Sequence, residues 1–326
     1  MPRIFAYIQH RSGVVDESAL DLLAAATKID ANMLPTAILT GFGADLDTAC
    51  SSIKSLYSEI WKVDNEVLNH PNAELVRQAL VAILPRASIL LLPHDHFGID
   101  FSPGLSVKLN APFVPDVLAI GPIEGESLSL VRQEYGGQVS VHIRCDISMG
   151  AVISIRPGAF KDETSTATGV VVDKSFEVGT LKARRRYIET IVAEAGDVDI
   201  TKHNVLVSVG RGIQEKDNIV FAEELAEVLG AAVSCSRPVV DAKWMQKSRQ
   251  VGSSGKTVKP KVYLACGISG AFQHLAGVKG SPFIIAINKN PKAPIFQVAD
   301  VGIVDDILEF LPELIRKVRE SRGIAA

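Results

Sequence analysis

Residues 261–306 read KVYLACGISGAFQHLAGVKGSPFIIAINKNPKAPIFQVADVGIVDD. Val262-Tyr-Leu-Ala-Cys266 is a short apolar run, the pattern of a buried strand. Gly267-Ile-Ser-Gly270 follows at once and predicts a tight turn that lets backbone approach something bulky. Ala271 to Gly277 reads as a short helix. A strand, a Gly-rich turn and a helix start form an anion site, because the first helical N–H groups have no partner inside the helix. Phe283-Ile-Ile-Ala-Ile287 is a second buried strand and ends in Asn288; Val301-Gly-Ile-Val304 is a third and ends in Asp305-Asp306. Three parallel-type strands thus end in polar residues on one sheet edge, the edge where open α/β sheets bind ligands. The stretch reads as a nucleotide site.

The rest of the chain sets the frame. At 326 residues it suits two domains. A hydrophobic share of 47%, a charged share of 22% and a net charge of −3 describe an ordinary globular surface, with no basic face for nucleic acid or acidic lipid. The four cysteines, at 50, 145, 235 and 266, form no C-x-x-C pair, which argues against disulfides and iron–sulfur ligation. No apolar run reaches the length that spans a bilayer, so membrane insertion is not expected. MPRIFAYIQH leads directly into a strand pattern without signal or transit character, and a cytoplasmic location is expected.

In chain order, strands are expected at Ile4–Gln9, Pro35–Leu39, Ser58–Val63 and Ser88–Leu92, and helices at Asp16–Ile29, Asp45–Ser51 and Asn72–Leu84. This alternation predicts a doubly wound parallel sheet. His94-Asp-His96 could suggest a metal, but no further ligand of suitable type stands nearby, and it reads as a polar loop. From Ala111 to Phe160 the pattern turns β-rich, with a hairpin turn at Tyr135-Gly-Gly137; Arg156 reads as a surface cation, Lys161–Gly169 as a surface loop and Lys182–Arg186 as a solvated basic run. The domains are placed at 1–196 and 197–326.

The second domain opens with Val205–Val209 and Gly210-Arg-Gly212, continues through the helix Asn218–Leu229, and has a strand ending in Ser236-Arg237. Gln250-Val-Gly-Ser-Ser-Gly-Lys256 is a Gly/Ser loop without P-loop spacing. No nucleophile–base pair, carboxylate dyad or metal cluster stands out there. Hydroxyls, backbone amides, arginines and one histidine bind and tune a cofactor and leave the chemistry to it.

GISGAFQH, AINKNPKAPIF and VADVGIVDD closely resemble the C-terminal signature of electron transfer flavoprotein alpha subunits; YGG, RPGAF, DITK, GRG and SRP extend the resemblance more thinly over the chain. The resemblance implies an α/β protein of two doubly wound parallel-sheet domains, the second a Rossmann-like FAD-binding domain. It implies FAD contacts from Arg211, Ser236, Arg237, Val251, Gly252, Ser253, Ser254, Ser269, Gly270, Ala271, Phe272, Gln273, His274, Asn288, Asp306 and Ile307. Arg211 is placed at the phosphate or ribityl region, Arg237 and His274 against the flavin, and Asn288 and Asp306 at the adenosine half. Family members have Gln-Thr where this chain has Ser253-Ser254, and Ser254 keeps the hydroxyl expected at flavin N5. They carry an arginine where this chain has Gly104, after Pro103.

The resemblance further implies an electron carrier rather than an enzyme with its own substrate. Its first domain pairs with a beta subunit, its electrons come from flavin-dependent dehydrogenases such as acyl-CoA dehydrogenases, and its acceptor is a quinone oxidoreductase or similar. The alternatives are a bifurcating member with NADH as donor, and a non-redox nucleotide-binding module. A stand-alone NAD-dependent dehydrogenase lacks its G-x-G-x-x-G here.

Overall fold

The structure, a computed structural model, describes residues 2–160, 167–190, 198–280 and 282–323. Most of the loop expected at 161–169, and the boundary expected between 196 and 197, fall outside the described residues. The chain divides into two compact units, Met1–Glu189 and Thr190–Ala326.

The first unit begins with β1 (Ile4–Tyr7), a small hairpin of β2 (His10–Arg11) and β3 (Val14–Val15), and α1 (Ser18–Ile29). Then come β4 (Thr36–Gly41), α2 (Gly43–Ser52), β5 (Glu59–Asp64), α3 (Ala73–Ile83), β6 (Ile89–Pro93) and α4 (His96–Leu109). The β-rich block supplies β7 (Phe113–Glu124), β8 (Ser127–Glu134), β9 (Val139–Asp146) and β10 (Ala151–Ile155), and β11 (Val170–Asp173) ends the sheet. Nine strands lie in the order β11-β5-β4-β1-β6-β10-β7-β8-β9. The strands from β11 to β7 pair in parallel, whereas β7, β8 and β9 pair antiparallel, so the expected parallel sheet carries an antiparallel extension. Helices cover both faces of the parallel part, the reason its central strands β1 and β6 are apolar throughout. Ala24 and Leu46 lie in the core of one face, Leu80 and Phe101 in that of the other.

Local chemistry sets the element ends. Asn72 caps α3 by accepting from Glu74 N at 3.0 Å, and Asp95 caps α4 by accepting from Gly98 N at 2.6 Å. His94 turns into the sheet, with Nδ1 2.9 Å from Ser154 Oγ, and among the described residues no three His, Cys, Asp or Glu side chains gather as a metal site. A Cβ on Gly104 would come within 2.6 Å of the Arg77 guanidinium, so the missing side chain on α4 lets an α3 arginine lie across it.

One expectation of the first unit changes and another gains detail. Arg156 is not a free surface cation: Nε and Nη2 grip the Asp116 carboxylate at 2.9 and 2.6 Å, and Nη1 donates to Gln133 Oε1 at 2.7 Å. Asp116 has φ +60° where the β10–β7 register shifts, so the guanidinium braces a bulge. The basic run is exposed, as expected, and it is also tied down over α3. Gln78 bonds Lys182 N and O at 3.1 and 2.6 Å, and the Arg185 guanidinium meets Asp100 at 2.6 and 3.1 Å.

The second unit contains β12 (Val205–Val209), α5 (Ile219–Leu229), β13 (Ala232–Cys235), α6 (Arg237–Asp241) and β14 (Val262–Cys266). After these come α7 (Phe272–Leu275), β15 (Phe283–Ile287), β16 (Val301–Ile303) and α8 (Ile307–Arg322). Its five strands are all parallel, in the order β13-β12-β14-β15-β16. Counted within the unit this is 2-1-3-4-5, a doubly wound order with its switch point between the first and third strands. Leu225, Leu311 and Ile315 of α5 and α8 pack on one face; Val251, Val258 and Ile295 cover the other. No helix among the described residues is long and apolar enough to cross a membrane.

Candidate functional site at the carboxyl edge of the second sheet

Because all five strands point the same way, their polar ends share one edge. β12 delivers Gly210-Arg211, β13 Ser236-Arg237, β14 Gly267 to Gly270, β15 Asn288 and β16 Asp305-Asp306. The switch point between β12 and β14 is closed by contact of two turns. Gly210 N donates to Cys266 O at 2.9 Å, and Gly212 N to Gly267 O at 3.1 Å. A Cβ on Gly210 would lie 2.2 Å from Gly267 O, and one on Gly267, which has φ +65°, 2.7 Å from Gly212 Cα. Only glycine permits this crossing.

Each expected site residue has a definite place. Arg211 is exposed in the turn after β12. Ser236 is buried at the start of α6, and Arg237 is two-thirds exposed, 3.4 Å from Asp241 one helical turn on. Val251 and Gly252 are buried, while Ser253 and Ser254 are exposed. Their loop is clamped to α7: Ser253 N donates to Gln273 O at 2.7 Å, and a Cβ on Gly277 would meet Gly252 N at 2.3 Å. Ser269, Ala271, Phe272 and Gln273 are exposed, and Gly270 is buried against Ile295. The helix expected over Ala271–Gly277 is a single turn, Phe272–Leu275, so its backbone amides rather than a helix dipole would meet an anion.

Two residues expected to face a ligand also hold the edge together. Asn288 Nδ2 donates to Ile268 O at 2.9 Å and its Oδ1 accepts from Asn290 N at 2.9 Å, tying the ends of β14 and β15. Asp306 caps α8 by accepting from Leu308 N at 3.0 Å, with Ile307 buried behind it.

His274 is buried. Tyr263 donates its one hydroxyl proton to Ser208 Oγ at 2.8 Å, so at 2.7 Å its oxygen accepts from His274 Nε2. Burial lowers the imidazole pKa to about 4, against an opposing influence of the Val251 backbone, and the ring is neutral at pH 7. Nδ1 is buried and has no hydrogen-bond partner. A buried polar atom left unpaired costs free energy, so the site has an unmet polar valence of the kind a bound ligand satisfies. Cys266, by contrast, is an inert core thiol whose pKa burial pushes up to about 12.

Tyr263, Ser208, Gln250 and the Asp199–Lys256 pair were not expected from the sequence. The one available signal was Tyr263, a phenol within an apolar run, since a buried tyrosine hydroxyl needs a partner. Lys256 Nζ lies 3.3 Å from Asp199 Oδ1. The Thr201 hydroxyl, more than Lys256, holds that carboxylate near pKa 2.

The family described as electron transfer flavoprotein FAD-binding domain matches residues 199–279, and the electron transfer flavoprotein domain matches residues 4–185. The chain is 33% identical over 327 residues to Protein FixB of Clostridium saccharobutylicum, covering 97% of this chain and 96% of that protein. It is 31% identical over 324 residues to the electron transfer flavoprotein subunit alpha of Thermoanaerobacterium thermosaccharolyticum, covering 98% of each. The mitochondrial alpha subunit of Oryza sativa subsp. indica is 35% identical over 326 residues, covering 96% of this chain and 90% of that protein.

Proposed function

Since the chain belongs to the electron transfer flavoprotein alpha-subunit family and binds FAD in its second unit, we propose that FAD lies along the carboxyl edge from β12 to β16. There it relays electrons from flavin-dependent dehydrogenases, such as acyl-CoA dehydrogenases, to a quinone oxidoreductase or similar acceptor. The observation that carries this reading is the convergence of five parallel strand ends on one edge, with the buried, unpaired His274 Nδ1 among them. FAD, when bound, supplies all of the redox chemistry at its isoalloxazine ring.

This chain's residues hold and tune it. The amides of Ser269 to Gln273 and the Arg211 guanidinium suit the pyrophosphate, and Asn288, Asp306 and Ile307 suit the adenosine half. Ser236, Arg237, Val251 to Ser254 and His274 suit the ring. Arg237 brings a permanent positive charge that favours electron uptake beside it, and the neutral His274 brings a nitrogen whose orientation Tyr263 fixes. The first unit serves the interface with a beta subunit, as the alpha-subunit names of the relatives support, and a cytoplasmic location goes with this reading.

The test is co-purification with the beta subunit followed by visible spectroscopy and identification of the released cofactor. A yellow heterodimer releasing FAD is expected. FMN, a colourless heterodimer, or an FAD-loaded monomer with no affinity for a beta subunit would refute the reading.

A further inference from the structure

Gln250 is 3% exposed, yet its side chain is polar. Its backbone is pinned on both sides. Gln250 N donates to Lys247 O at 3.1 Å, Val251 N to Cys235 O at 2.9 Å, and Lys256 N returns to Gln250 O at 2.7 Å. The side chain reaches forward across the loop, and Nε2 donates to Ser254 Oγ at 2.8 Å. A methionine or leucine would fill the same space without burying an amide, so the bond rather than the volume accounts for the glutamine.

The bond has a directional consequence. A serine hydroxyl accepts through its lone pairs and donates one proton. With an amide N–H arriving at Oγ, that proton points elsewhere, and Ser254 is exposed. Serine also lacks the second Cβ substituent that stiffens χ1 in threonine. The loop backbone is already held by Ser253 N to Gln273 O at 2.7 Å and Gly255 N to Gly252 O at 2.9 Å, so the side-chain torsion is the freedom left to settle.

We propose that Gln250 is a positioning residue that holds the Ser254 hydroxyl in one rotamer and turns its proton outward, as a hydrogen-bond donor to the flavin ring. The inference rests on the reading, above, that the Val251 to Ser254 loop faces the flavin.

The experiment uses the FAD-loaded heterodimer and three readouts: the flavin reduction potential, its visible absorption band and its dissociation constant. Q250M should lower the potential, shift the band in the same sense as S254A, and weaken FAD binding about 2- to 10-fold, the scale of one hydrogen bond. S254T introduced into Q250M should restore at least half of each shift, because threonine limits its own χ1. S254T introduced into Q250E should restore nothing, because a carboxylate only accepts and draws the hydroxyl proton inward. Q250E keeps the shape of glutamine and carries the test if Q250M does not fold. A Q250M protein indistinguishable from the parent, or equally shifted with Ser or Thr at 254, overturns the proposal. If S254A leaves potential and band unchanged with FAD bound, the flavin-facing reading of the loop falls as well; a shifted S254A beside an unshifted Q250M overturns the Gln250 role alone.

Discussion

Replacing Tyr263 by Phe removes one oxygen from the middle of the second sheet and leaves the ring in place. The hydroxyl is fully buried and makes two hydrogen bonds, to Ser208 Oγ at 2.8 Å and His274 Nε2 at 2.7 Å. Each such bond contributes about 0.5–1.5 kcal/mol net, and a buried partner left unpaired costs about 1–3 kcal/mol. Ser208 can rotate its own hydroxyl toward a new acceptor, but the imidazole is set by α7 and cannot. The expected loss is therefore about 2–4 kcal/mol. Urea denaturation at pH 7 measures it, on the chain both with and without FAD, because a ligand bound only to the folded state adds its own stabilisation. Ser208→Ala should cost less, about 1 kcal/mol, since the bond from His274 Nε2 to the Tyr263 oxygen remains. The double variant should fall short of the sum of the two, the mark of a shared network. A Tyr263→Phe loss below about 0.5 kcal/mol, less than one ordinary hydrogen bond, would show that the hydroxyl joins neither partner and would refute the three-residue chain.

Other outcomes follow from the same geometry. The His274 pKa is about 4 folded against an ordinary 6.5, so the unfolded state binds more protons between those values and stability falls as pH drops through that window. The loss should reach about 2 kcal/mol between pH 7 and pH 5, and His274→Gln should flatten it in denaturant titrations at the two pH values. Gly267→Ala puts a methyl group 2.7 Å from Gly212 Cα at a φ of +65°, and should cost about 3 kcal/mol and most of the bound FAD, read by thermal melting and the flavin-to-protein absorbance ratio. Arg237→Ala removes a mostly exposed side chain and should change stability by less than about 0.5 kcal/mol while lowering the flavin reduction potential; an unchanged potential would remove Arg237 from the ring.

The sequence exposes most of the architecture where burial leaves one reading. Strands covered on both faces, such as Val205–Val209 and Val262–Cys266, appear as nearly continuous apolar runs and were expected to within a residue. The polar residues at their ends mark the ligand edge because parallel strands must all end there. Strand order is less legible. Nothing local in Val170–Asp173 says that it pairs with β5 at the far edge, because that neighbour is more than a hundred residues earlier. The helix after Gly270 reads as two turns, but the close contact of Gly277 with Gly252 ends it after one. Arg156 reads as a surface charge because its partner, Asp116, is forty residues away. Gln250 and Ser208 were missed because a polar residue in an otherwise legible segment shows its role only when its partner is known.

The far-edge position of β11 matters during synthesis. β5 is complete by Asp64, but the strand that covers its outer side is not made until Asp173. For more than a hundred residues of translation the nascent sheet has an open edge on β5, able to pair with the same edge of a neighbouring chain. At roughly 5–20 residues per second that interval lasts about 5–20 seconds. The last strand of the first unit therefore acts as a stopper, and a chain stalled before residue 170 would carry a folded core with one adhesive side.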